Sequence, residues 1–134
     1  MRYPLCVLEP SYSLYRVLSA NVNLSEIFDD SEFPVFIIKD GKEISLLCQT
    51  GTLSKFEKEE AGWKAIKILG EIPFNEYGIL QSLLTPLAIN KIGILAMSTY
   101  STDFVFVKDE NLAKALTCLK ESGCTFVDLP SIAH

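Results

Sequence analysis

After Trp63 the hydrophobic pattern switches between a period of two and a period of 3.6 in a fixed order, and this limits the chain to few topologies. "WKAIKIL" (63–69) sets Trp63, Ala65 and Lys67 against Lys64, Ile66 and Ile68, which reads as a strand ended by Gly70. Asn75 is placed to cap a helix through "EYGILQSLLTPLAIN", with Leu80, Leu83, Leu84 and Leu87 on one stripe and Pro86 as a kink. "GILAM" (93–97) and "DFVFV" (103–107) are apolar on both faces, so the sheet they form is expected to be covered on both sides. Asp109 caps a second helix with a buried stripe of Leu112, Leu116 and Leu119, while Lys114, Lys120 and Glu121 face water. Gly123 suits the C′ position of that helix, and "CTFVDL" reads as a closing strand. The order strand, helix, strand, strand, helix, strand is that of a split βαβ unit, with the helices on one face of a sheet.

The first half carries a looser version of the same order. "PLCVLEPSYSLYRVL" (4–18) reads as one long bent strand or two short ones, broken near Pro10, and "NLSEIF" (23–28) as a short helical turn. In "FPVFIIKDGKEISLLC" the Asp40-Gly41 pair predicts a two-residue hairpin turn. That register sets Ile37 opposite Ile44 and Val35 opposite Leu46 on one apolar face, with Phe36 opposite Ser45 and Ile38 opposite Glu43 on the other. Residues 50–62, "TGTLSKFEKEEAG", read as a loop with at most one helical turn. The expectation is an α+β fold: two ferredoxin-like (βαββαβ) units in tandem, a degenerate one over 1–61 and a regular one over 62–134. The halves share periodicity, not sequence.

Charge and composition exclude several functions. The chain has 134 residues, 49% hydrophobic, with a net charge of −5. Neither half is basic, so nothing supplies the concentrated positive field that phosphate binding needs, and nucleic acid is excluded as a partner. His134 is the only histidine and stands at the last position, leaving no material for a zinc site or a His-based triad. Cys6, Cys48, Cys118 and Cys124 show no C-x-x-C spacing and sit in or beside apolar runs. They read as buried reduced thiols, with a disulfide pair as the alternative. No secretory leader or membrane-length run is legible, so the cytoplasm is the expected compartment and no membrane the expectation.

The stretch "STYSTDF" (98–104) joins two apolar runs with six polar side chains in seven residues, far more than a connection requires. It is either a tolerated loop or a recognition surface. Here the sequence becomes recognisable. "WKAIKILG" (63–70), "GIL" at Gly78–Leu80, "PLA" at 86–88 and the S-T-Y-x-T-D-[FY]-x-x-V-[KR] pattern at 98–108 resemble the ACT-domain branch that includes small bacterial tandem-ACT proteins and the animal cytosolic arginine sensors. The likeness is strong over residues 60–122 and is mostly one of pattern over the hairpin before it.

The resemblance implies a regulatory module that binds an amino acid where ACT units meet, usually between subunits. The animal sensors carry four such units in one chain, so two copies of this chain, a homodimer, would reproduce that arrangement. It also implies ligand-binding residues: Ser98 first, with Thr99, Tyr100 and Thr102 as weaker carry-overs that shape the loop. Residue chemistry is compatible with this. A helix N-terminus near Gly78 and Ile79 offers backbone N–H groups to a carboxylate, and Gly78 has no Cβ to hinder approach. Asp103 suits an ammonium group. Each has a plainer use: Gly78 easing a strand-to-helix turn, Asp103 bonding within its own loop, and Tyr100 packing at a subunit contact.

The leading expectation is therefore a non-enzymatic, cytoplasmic amino-acid-binding module without cofactor or metal, with arginine favoured by analogy alone. It would act on an unidentified protein partner. The alternative is a structural or protein-interaction module that keeps the ACT fold without a ligand. Glu76 and Asp103 are the only carboxylates weighed for acid–base chemistry, and their spacing does not argue for it.

Overall fold

The computed structural model describes residues 1–28 and 32–128. Among the described residues the chain divides into two compact units: 1–9 with 64–128, and Pro10–Trp63. The first nine residues thus pack with the C-terminal unit.

In the C-terminal unit, the end of β4 (Lys58–Ile68) is followed by α2 (Ile79–Ile89), β5 (Ile94–Ser98), β6 (Asp103–Lys108) and α3 (Asp109–Glu121). Here the start of β1 (Leu5–Leu18) lies beside β4, where the Leu69 N–H donates to Pro4 O at 2.9 Å. The strand order is β1-β4-β6-β5. Leu5, Ile66, Ile68, Val105 and Val107 form the sheet side of a core closed by Leu83 and Leu87 of α2 and by Ala115 and Leu119 of α3. Both helices thus cover one face, the ferredoxin-like arrangement.

Five expectations in this unit are corrected. The strand begins at Lys58 rather than Trp63, taking in "KEEAG". Helix α2 begins at Ile79, with Gly78 at its N-cap in the left-handed region (φ 81) and Asn75 outside it. Asp109 is the first residue of α3, not its cap, and adds its negative charge to the first turn. Residues 124–128 of "CTFVDL" form no regular strand, Leu129 lying outside the described residues: one parallel bridge joins Phe126 to Leu5, because the start of β1 already occupies the place beside β4. Double coverage holds for β6, whose Phe104 to Val107 are all buried, but not for β5, an edge strand with Ala96 and Ser98 exposed.

In the other unit, β1 continues past Pro10 as one strand to Leu18. It is followed by a 3-10 turn (Ser19–Asn21), α1 (Leu24–Ile27), β2 (Phe36–Asp40), β3 (Glu43–Gln49) and the start of β4. Asn23 caps α1, its side-chain oxygen accepting from the Ser25 N–H at 3.0 Å. The core holds Tyr15, Val17, Ile27, Ile44, Leu46 and Cys48, with Val35 packed against it. The β2–β3 register is corrected to Ile37 with Leu46, Ile38 with Ser45 and Asp40 with Glu43, so the turn is Gly41-Lys42. Gly41 takes φ 62, and neither Asp40 nor Lys42 has a positive φ. A turn with glycine in the first central position needs one left-handed residue, whereas Asp40-Gly41 would have put Asp40 there as well. The shift moves each partner by two positions and so keeps every side chain on its expected face.

Candidate functional site

Strands β5 and β6 pair from Ile94 with Val107 to Ser98 with Asp103, so four residues, Thr99–Thr102, close the hairpin. That loop is held by its own side chains. The Thr99 N–H donates to Thr102 O at 2.8 Å, and Thr99 Oγ1 accepts from the Thr102 N–H at 3.2 Å. Thr102 is buried, and its hydroxyl donates to Ile68 O of β4 at 2.6 Å. Ser101 O accepts from the Ile72 N–H at 2.8 Å, which ties the loop to the chain leaving β4.

With Thr99 and Thr102 spent on the loop, other side chains face outward. Ser98 Oγ donates to Asp103 Oδ1 at 2.5 Å, a pair set up by the strand register. Tyr100 is 79% exposed and meets Phe74, 75% exposed, edge to face at 5.0 Å between centroids. Together these groups border a shallow concavity of about 220 Å³, with Ile72, Phe74 and Glu76 on one side and Ser98, Tyr100 and Asp103 on the other.

Glu76 is the fixed charge of that concavity. Its Oε1 accepts from the Tyr3 hydroxyl at 2.6 Å and pairs with Arg2 Nη2 at 2.8 Å. The hydrogen bond to Glu76 raises the Tyr3 hydroxyl above its ordinary range, with burial adding to it. The Arg2 guanidinium is raised by its hydrogen bond to Tyr3 and then by the Glu76 charge. Glu76 is thus held by the first residues of the chain, and Asp103 by Ser98.

The structure brings together Ser98, Thr99, Tyr100, Thr102 and Asp103 around this concavity. Gly78 and Ile79 do not line it: Gly78 caps α2, and Ile79 packs against the core. Sequence reasoning did not find Ile72 and Phe74, and considered Glu76 only as a possible catalytic acid. No local signal pointed to them, because the partners that hold Glu76 lie more than seventy positions away. Among the described residues no three His, Cys, Asp or Glu side chains gather where they would hold a metal ion. No helix of the described residues is long and apolar enough to cross a membrane.

Among solved structures the fold has clear counterparts. A protein from Agrobacterium tumefaciens is 27% identical, with a TM-score of 0.83 over 97% of this chain and 96% of that one. A Vibrio cholerae protein of unknown function, described as a possible transport protein, is 20% identical, with a TM-score of 0.67 over 86% of this chain and 85% of that one. The aspartate kinase of Clostridium acetobutylicum, described as an allosteric enzyme, is 13% identical, with a TM-score of 0.62 over 88% of this chain and 34% of the kinase. At such identities the last two establish shared fold alone. In sequence, residues 58–121 match the family model of the ACT domain. That segment begins with β4 and ends with α3, and it contains the whole 98–103 loop. No curated protein matches the chain.

Proposed function

We propose that this chain is a non-catalytic regulatory module of the ACT type that binds a free amino acid at the 98–103 loop. The observation that carries the reading is the Asp103 carboxylate on the border of the concavity. One of its oxygens accepts from Ser98 Oγ, and the other has no partner among the described residues. A carboxylate so oriented suits an α-ammonium or a guanidinium. The exposed rings of Phe74 and Tyr100 beside it add to the attraction for a cation. Glu76 is already paired with Arg2, which leaves Asp103 as the carboxylate open to a ligand. Arginine is the first amino acid to try, on the strength of the family resemblance.

In this reading the chain holds two ACT units in tandem, the first degenerate, and works in the cytoplasm as a homodimer. The ligand lies where ACT units of two copies meet, and Ser98, Asp103, Thr99, Tyr100 and Thr102 serve it directly or through the loop. Gly78 and Ile79 are assigned the ligand carboxylate at the start of α2. The regulated protein is a separate chain.

A second reading is favoured by the exposed pair Phe74 and Tyr100 with Tyr77, 94% exposed, nearby in sequence. Three large aromatic side chains in water suit a protein partner without any small ligand.

A thermal-unfolding screen against the twenty amino acids separates the two. A ligand at a hundredfold excess over its Kd adds about 2.7 kcal/mol, a midpoint rise of several degrees for a domain of this size. A rise with one or two related amino acids, lost in Asp103→Ala, is the expected result. No rise with any of them at millimolar concentration overturns the amino-acid reading in favour of the interaction module.

A further inference from the structure

The C-terminus of α3 ends in a motif that brings two cysteines into one buried cluster. Ser122 is the C-cap and Gly123 follows in the left-handed region (φ 103). The Gly123 N–H donates to Lys120 O at 3.0 Å, and the Cys124 N–H donates back to Leu119 O at 3.0 Å. These two bonds define a Schellman motif, whose geometry folds the side chain two places past the cap onto those of the last buried turn. Here that side chain is Cys124, and the last turn presents Leu119 and Cys118. Cys118 and Cys124 belong to the same core cluster and are 6% and 7% exposed. Both are free thiols.

We propose that Cys118 and Cys124 form a reversible redox pair, closing an intramolecular disulfide across the C-terminus of α3. The bond forms by thiol–disulfide exchange with a low-molecular-weight disulfide. One thiol loses its proton and attacks the reagent, releasing one reduced thiol. The second then displaces the other half of the reagent as its thiol, so the two cysteines are oxidised by two electrons and the reagent is reduced by two. Within the protein the Cys118 thiol donates to Ala115 O at 3.3 Å, a bond that the disulfide would replace. Burial holds the Cys118 thiol up, with Glu121 and Cys124 opposing its ionisation and Lys114 favouring it, so attack waits on opening of the helix end. The chain after Cys124 bridges β1, with the Leu5 N–H donating to Thr125 O and the Val127 N–H to Leu5 O, both at 2.8 Å. The disulfide would fasten that bridging segment to α3. Cys6 and Cys48, one on β1 and one on β3, share no such turn.

The test is to equilibrate the full chain with oxidised glutathione, block free thiols with an alkylating reagent under denaturing conditions, and digest with trypsin. Cleavage after Lys120 separates the two cysteines, so a bridge appears as two joined peptides that separate on reduction. The expected result is this joined species, with Cys6 and Cys48 alkylated. In Cys124→Ser the joined species vanishes and Cys118 carries glutathione or stays free. Alkylation of both Cys118 and Cys124 after oxidation, separate glutathione adducts on the two in the parent chain, or a bridge joining either to Cys6 or Cys48 overturns the proposal.

Discussion

Two hairpins, one in each unit, solve the same problem in different ways. The β2–β3 hairpin turns in two residues, Gly41-Lys42, and relies on one glycine in the left-handed region. The β5–β6 hairpin turns in four, Thr99–Thr102, and relies on side-chain hydrogen bonds, one of them reaching Ile68 of a neighbouring strand. The first needs only backbone freedom. The second is rigid enough to hold Ser98, Tyr100 and Asp103 outward at the border of a concavity. Polar residues beyond those needed to close a turn mark the loop in which recognition is to be sought.

The largest effect should come from removing the anchor of the second hairpin. Thr102→Val keeps the shape but strips the hydroxyl from a buried carbonyl, Ile68 O. We expect a loss of about 1–3 kcal/mol in urea unfolding. A loss well under that would mean the loop is held by its own backbone, as the first hairpin is. Next, Gly41→Ala should cost about 1 kcal/mol through backbone strain alone, since a Cβ there meets nothing within 4 Å. An unchanged urea midpoint would remove glycine as the basis of the tight turn.

The hairpins should also differ in alkali. β3 carries the buried Cys48, whose thiol burial raises above its ordinary value of 9.0, whereas the buried residues of β6 do not ionise. A raised folded value means stability is fully present below about pH 9 and falls as pH climbs toward the folded value. The Tyr12 hydroxyl, also raised by burial, adds to the fall above its ordinary value of 10.0. Urea unfolding between pH 8 and pH 11 should therefore show declining stability, with a shallower slope in Cys48→Val. Equal slopes in the two proteins would exclude the thiol as a contributor. The smallest effect is expected from Ser98→Ala, within about 0.5 kcal/mol of the parent because the pair with Asp103 is exposed. The same variant should weaken any amino-acid-induced rise in the unfolding midpoint, and an undiminished rise would take Ser98 out of the site.

What the sequence determined by itself was local. Gly123 ends α3, "NLSEIF" makes a short helical turn, the leucine stripes of both long helices turn inward, and the polar excess of "STYSTDF" marks the candidate loop, because each depends on residues within a few positions of one another. The tertiary structure decided whatever needed a distant partner. β4 starts at Lys58, where the Glu57 N–H already reaches Arg16 O at 2.8 Å: the far half of β1 offers hydrogen bonds that a charged segment would not otherwise find. The start of β1 takes the place beside β4 and reduces "CTFVDL" to a bridge. Glu76 joins the candidate site only because Arg2 and Tyr3 hold it there. Periodicity and turn chemistry act over one helical turn or one hairpin, whereas the choice among strand edges is made by which distant segment satisfies the open backbone groups.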